Sequence, residues 1–304
     1  MVFAGTTDCY GKCNEIIGKF LSIEVSAAQV YRVTEAYGAE LSQTMDATQR
    51  TLPPARDDET VYIEADGAMV LTRDEGWKEV KTGRIFKSGD CIDPNGKEGC
   101  IRHSQYLSYL GDCKTFTGQM DDLLFNYGLS DKRLVFLSDG ATWIRNWVAD
   151  AYPGAVSILD YYHACEHLYT FTDAFFNKDR HKAEQWAKCQ KKLLLSGQVK
   201  QVIANIGKLA GKGNKEATHL IEYYKSNQNR MDYKRYRKIG IGIIGSGAIE
   251  SAQRTVVQKR MKLSGQRWSI TGAQHMLQLR TTYMNEQWHK IIQMSKTDFK
   301  NKAA

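Results

Sequence analysis

No apolar run in the chain approaches membrane-spanning length, and Met1–Tyr10 lacks the charged start and apolar core of a secretion signal. These two absences give the expectation of a cytoplasmic protein without membrane contact. Seven cysteines, at 9, 13, 91, 100, 113, 165 and 189, form no CxxC pair and are odd in number. Reduced thiols are therefore expected rather than a disulfide framework. Cys9 and Cys13 would supply half a zinc site, but no matching second pair follows. Acid is also scarce toward the C-terminal end. Between Asp232 and Glu286, ten Lys and Arg accompany a single carboxylate, Glu250.

What is present suits a globular protein. The 304 residues are 42% hydrophobic and 25% charged, enough for one large domain or two small ones. A net charge of +8 calls for an anionic partner, most simply nucleic acid. That charge is concentrated: residues 178–238 hold 16 Lys and Arg against 5 Asp and Glu. A solvated helical face usually alternates its charges, so this stretch reads as a footprint for a phosphate backbone.

The segment Arg133–His167 organises the rest. Leu134–Leu137 is an unbroken apolar run, the pattern of a strand buried on both faces, and it ends in Ser138, Asp139 and Gly140. A helical pattern follows, closed by Tyr152, Pro153 and Gly154, and a second apolar strand, 155–159, ends in Asp160. Strand, helix, strand implies a parallel pair, with both aspartates at the edge where open α/β sheets build their sites. Either aspartate alone could simply cap the helix after it. Two of them in one unit, with His163 behind, point to a site.

The first fifty residues read as helical, with Ser26 as an N-cap and Val30, Val33, Tyr37, Leu41 and Met45 at helical spacing. With the shorter pattern of Ile16, Ile17 and Phe20 this could be a helix-turn-helix. Glu35 and Glu40 against the single Arg32 are a poor charge for a DNA reader, so a packing pair is expected. Residues 51–59 read as a linker. From Thr60 the period becomes two: Val61, Ile63 and Ala65 alternate with Tyr62, Glu64 and Asp66, a strand expected to end at Asp66 and Gly67. Residues 68–72 and 77–87 complete an antiparallel meander, and 88–100 form a loop whose acids do not fit an EF-hand. Helical patterns are expected over 104–127 and from His167 to about Lys238. Gly240, Gly242 and Gly245 match GxGxxG, but no clear strand precedes them and no acid lies about 20 residues on, so no dinucleotide site is expected. The basic end of the chain is expected to fray.

Three acids thus stand at three element ends: Asp66, Asp139 and Glu250. Glu250 alone could answer a helix dipole. Three hard oxygen ligands suit magnesium or manganese, two ions of which promote an in-line phosphodiester displacement. Antiparallel strands, a helix and then parallel strands follow the order of a ribonuclease-H-like fold. The fold class expected is α/β, a mixed sheet with flanking helices and an all-helical insertion.

The motifs ADG (65–67), WKEVKTGRIF (77–86), SDGATWI (138–144), DYYH (160–163), GSGAIES (245–251) and RMKLSGQRWSITGAQ (260–274) carry a resemblance. Over about Val61 to Trp288 the chain resembles bacterial insertion-sequence DDE transposases related to Mutator-like elements. The resemblance implies that Asp66, Asp139 and Glu250 ligate Mg²⁺ or Mn²⁺, with the insertion lying between the last two. Asp160 and His163 fall on that family's acid-or-cysteine, two-spacer, histidine motif, so Asp160 would support the site and His163 assist catalysis. His163, Cys165 and His167 also stand close enough to suggest zinc, which would need a fourth ligand.

The implied division is a helical segment (1–55), a catalytic domain (56–177 and 241–290), a basic insertion (178–240) and a basic tail (291–304). Lys188, Lys191 and Lys192 in the insertion, with Arg254, Lys259, Arg260, Arg267 and Trp268, are expected to contact DNA; Trp268 reads first as core and second as a stacking residue. The implied activity is cleavage at a transposon end followed by joining to target DNA, by a chain that is a homodimer when DNA-bound. The alternatives are a nuclease of the same fold that never joins strands, and an inactive DNA-binding remnant. Such transposases usually carry a further amino-terminal DNA-binding region, of which this sequence starts too late to hold much.

Overall fold

The computed structural model describes residues 1–44, 54–92, 100–129, 131–177, 179–211, 213–245 and 247–303. Met45, the linker residues 51–53 and the loop residues 93–99 lie outside the described residues. The chain opens with α1 (Val2–Thr7), α2 (Tyr10–Leu21) and α3 (Ala27–Thr44). Ser26 caps α3 as its position predicts, its Oγ accepting from the Gln29 amide at 3.1 Å. Cys13 and Ile17 pack on Val30, while Leu41 packs on Leu279 and Ile291.

The sheet follows: β1 (Thr60–Leu71), β2 (Trp77–Lys87), a small pair β3 (Cys91–Ile92) and β4 (Cys100–Ile101), and then β5 (Gln105–Leu110). Helix α4 (Cys113–Asn126) leads to β6 (Arg133–Ser138), α5 (Thr142–Ala151), β7 (Val156–Leu159) and α6 (Tyr161–Phe175). Five strands form one sheet in the order β5-β2-β1-β6-β7. β2 is antiparallel to β1 and β5, whereas β1, β6 and β7 run parallel. The strand–helix–strand unit at Arg133 is as its apolar runs predict.

Two differences from the expected elements have physical causes. β1 does not stop at Asp66 and Gly67 but continues to Leu71, since Gly67 stays paired with Lys81 and the Glu79 side chain fills the space its missing Cβ leaves. Residues 105–110 are a strand, not the start of a helix. Tyr106, Ser108 and Leu110 turn to one face and Leu107 and Tyr109 to the other, so the aromatic alternation outweighs the helical pattern beyond it.

After α6 the basic stretch expected as an insertion forms four helices, α7 (Arg180–Leu195), α8 (Val199–Ala210), α9 (Lys215–Asn227) and α10 (Tyr233–Lys238). An irregular stretch leads to α11 (Gly247–Ala252), a π-helical turn (Gln253–Gln258), α12 (Lys259–Met261), α13 (Ile270–Met284) and α14 (His289–Ala303). The end of the chain is therefore helical rather than frayed, anchored by buried Ile291.

Helices cover both faces of the sheet. Val61, Ile63 and Phe136 pack against Phe116, Met120, Ile144 and Trp147 of α4 and α5. On the other face Tyr62, Val135 and Leu137 pack toward α6 and the insertion, and Val70 and Val80 toward α11–α13. Truncating one central ring, such as Phe136 to Ala, costs roughly 3–5 kcal/mol. With both faces covered, a polar residue on either side of a strand is a candidate for burial.

Candidate active site

One polar row crosses the sheet. The ladders pair Ser108 with Thr82 and Thr82 with Asp66. They pair Glu64 with Leu137, so two residues further on Asp66 stands beside Asp139. They pair Ser138 with Leu159, which sets Asp139 beside Asp160. Register partners face the same side of a pleated sheet. The row is therefore Ser108, Thr82, Asp66, Asp139, Asp160, and three carboxylates end it.

Asp66 is half-buried, and its Oδ1 accepts from the Gly67 amide at 2.7 Å. Burial pushes its carboxyl up to about 6, and the Asp139 charge adds to that rise against the opposing pull of His163. Asp139 is held at both ends. Its Oδ1 accepts from the Ala141 amide at 3.0 Å, and its carbonyl accepts from the Tyr223 hydroxyl at 2.9 Å. Gly140 follows with φ +101°, where a Cβ would meet Leu159 and Tyr223 side-chain atoms at 3.2 Å. Asp160 is buried as the N-cap of α6, accepting from the Tyr162 amide at 2.6 Å. That is the capping role, and the Ile244 carbonyl docks on the next amide at 2.9 Å.

His163 projects from the first turn of α6. Its Nδ1 lies 3.3 Å from Glu166, and its Nε2 lies 3.2 Å from Nε2 of His167. The His167 ring rests on Tyr223 with centres 4.2 Å apart. Burial and the neighbouring His163 pull the His167 pKa down. Cys165 points into the core beside Leu168, so the zinc grouping of His163, Cys165 and His167 is not assembled.

Glu250 lies on α11, which packs on β1 and β2. Arg84, paired with Glu64 in the ladder, donates to the Ala248 carbonyl at 2.6 Å, which places α11 on the face that carries Asp66. The Glu250 side chain is exposed, and its charge reaches as far as Glu64. Among the described residues no three His, Cys, Asp or Glu side chains are grouped closely enough to hold a metal ion. Asp66 and Asp139 are thus brought together, while Glu250 stands over the same face without closing the group.

Two neighbours were not legible as site residues. Glu64 is fully buried, neither of its oxygens is in a well-formed hydrogen bond, and burial raises its pKa to about 8 despite nearby Arg84 and the Ile249 backbone amide. Gln253, 3% exposed on the π-helical turn, faces Asp66 and lies 3.5 Å from the Thr82 hydroxyl. Single π turns inside helices often mark functional positions.

Residues 3–298 match an uncharacterised protein family, UPF0236. The chain belongs to the UPF0236 family. It is similar to the "UPF0236 protein in vanSb 3'region" of Streptococcus gallolyticus, 23% identical over 285 residues, covering 89% of this chain and 58% of that relative. The chain thus spans little more than half of the relative's length. Among the described residues of this UPF0236 chain no helix is long and apolar enough to cross a membrane.

The basic residues expected to meet DNA divide into two groups. Lys192, Arg254, Lys259 and Arg267 are exposed; Lys188 is exposed but paired with Glu184 at 2.8 Å, and Lys191 reaches the Tyr169 hydroxyl at 3.2 Å. Arg260 does not fit the expectation of a DNA contact, and Trp268 takes the core role it was read for first rather than the stacking one. Arg260 is 0% and Trp268 6% exposed, stacked on each other with the guanidinium carbon 5.0 Å from the ring centre. Trp268 Nε1 donates to the Met261 carbonyl at 3.1 Å. Both belong to the core that seats the hairpin end, so neither is an exposed DNA contact.

Proposed function

We propose that this protein is a metal-dependent DNA transposase of the DDE type on a ribonuclease-H-like fold. The observation that carries the reading is the neighbouring placement of Asp66 and Asp139 on parallel strands, beneath the helix that bears Glu250. The donor set fits a hard divalent ion. Two aspartates side by side, one with its carboxyl raised by burial and further by the other's charge, gain most from a shared Mg²⁺ or Mn²⁺. Asp66 and Asp139 would hold the ion, with Glu250 joining after a side-chain or helix movement. Bound there, it would stabilise charge on a phosphodiester under attack and lower the pKa of an attacking water.

The chain's own groups supply the rest. His163, braced at Nδ1 by Glu166, stands beside the pair where it accepts a proton, a contribution of about 10²–10⁴-fold in rate. Asp160 fixes the start of the helix that carries His163. The basic insertion holds the DNA backbone without reading sequence. The freed 3′ hydroxyl of a cleaved transposon end then attacks a target phosphodiester in the same site, breaking its bond to the target 3′ oxygen, which leaves as a hydroxyl, within a homodimer formed on DNA.

The exposed, unclosed position of Glu250 favours one second reading, a DNA-binding protein without cleavage activity. Incubating the chain with a labelled transposon-end duplex, target DNA and Mg²⁺ separates the readings. Joined products support the transposase, cut but unjoined ends a nuclease, and binding without cutting the inactive form.

A further inference from the structure

A cavity of about 540 Å³ opens where α2, α3 and the start of α13 meet the tip of the β1–β2 hairpin. Arg73, from the hairpin, and Arg267, from the turn before α13, line it. Both are exposed, and neither forms an ion pair with a described residue. Two further walls are the rings of Tyr10 and Trp268. Between them lies Arg260, its guanidinium carbon 4.8 Å and 5.0 Å from their centres.

Arg260 is 0% exposed. Its Nε donates to the Gly5 carbonyl at 2.8 Å, but Nη1 and Nη2 have no hydrogen-bond partner. A buried cation with two unsatisfied donors is strongly unfavourable unless an anion compensates it. The nearby acids are already engaged. Glu35, at the cavity wall, pairs with His275 at 2.9 Å, and Asp8 accepts from the Cys9 amide at 2.7 Å. The amino ends of α2, α3 and α13 also border the space and add positive potential.

We propose that this cavity holds a phosphate of a nucleic-acid backbone, with Arg73 and Arg267 on its oxygens and Arg260 as the buried charge behind them. The inference rests on the reading of the Asp66–Asp139 site as one that acts on DNA. The cavity is fixed to the end of β1, because the Trp268 amide donates to the Leu71 carbonyl at 3.0 Å and the Arg73 amide to the Trp268 carbonyl at 2.9 Å. The strand from Asp66 to Leu71 covers about 17 Å. One strand of B-DNA advances ~3.4 Å per nucleotide, so a duplex lying along β1 would put about five nucleotides between the held phosphate and the one at Asp66.

The test is anisotropy of a labelled duplex oligonucleotide with the full chain at several salt concentrations. Arg73→Ala/Arg267→Ala is expected to weaken binding about tenfold or more and to lower the slope of log affinity on log salt by about 2. Gly11 lines the cavity, and a Cβ there meets nothing within 4 Å, so Gly11→Glu adds an acid without a clash and is expected to weaken binding with an unchanged melting temperature. Affinity within twofold of wild type in both variants overturns the inference, and a wild-type chain that cleaves a labelled transposon-end duplex with Mg²⁺ leaves the transposase reading standing. A wild-type chain that binds no duplex overturns both. Binding that depends on Arg73 and Arg267 in a chain that never cleaves supports the cavity and removes the catalytic reading.

Discussion

The hydroxyl of Tyr223, on the helical insertion, donates a hydrogen bond to the carbonyl oxygen of Asp139 at 2.9 Å. Arg230, at the end of the same helical region, donates to Ser138 Oγ at 2.6 Å and to the Ile158 carbonyl at 3.3 Å. The insertion is therefore fastened to the strand ends that carry the aspartates, and is not merely a basic appendage.

Tyr223→Phe should cost about 1 kcal/mol of stability, the usual worth of one such bond. Cleavage should fall further than that, since Asp139 loses the brace on its main chain. Denaturant melts and single-turnover rates on the same variant check both parts; an unchanged rate would make the contact structural only.

Glu64 makes stability depend on pH. Its carboxyl, raised from 4.5 to about 8 in the fold, keeps its proton where the unfolded chain has released it. Stability is thus highest in acid and falls as pH rises from about 5 to 8, by at most ~1.4 kcal/mol per unit. Asp66, raised to about 6, adds the same sign at lower pH. Glu64→Gln should flatten the upper part of this dependence in melts across pH 5–8. An unaltered slope would show that Glu64 ionises freely in the fold.

For the insertion, Lys188→Glu, Lys191→Glu and Lys192→Glu together should weaken duplex binding and reduce its salt slope by up to about 3. Lys188 and Lys191 already have partners on the protein, so Lys192→Glu alone should account for a large share of the loss. Titrations at fixed salt measure each variant, and an equal affinity in all of them removes the insertion from the DNA path.

The parallel unit was legible because Leu134–Leu137 is apolar without a break and Asp139 and Asp160 both follow strands. The strand at 105–110 was not, because its tyrosines alternate over only six residues and a stronger helical pattern follows at once. Glu64 was hidden by the rule that polar residues in an alternating strand face water. That rule fails here, where α11 and its neighbours cover the polar side. Arg260 was hidden for a related reason, whereas Trp268 is the core residue it read as first. A basic residue close to an aromatic looks like a DNA contact in sequence, and only the packing of α1 and α2 over them shows a buried stack. The offset that sets Asp66 beside Asp139 depends on β1–β6 register, which local pattern does not encode.

The central claim is that Asp66, Asp139 and Glu250 act together on DNA. Its most direct measurement is Mg²⁺-dependent cleavage and joining of a labelled transposon end by wild type, Asp66→Asn, Asp139→Asn and Glu250→Gln, each shown by melting and anisotropy to fold and bind DNA. Products are expected from wild type alone. Undiminished products from Asp139→Asn or Glu250→Gln would contradict the claim.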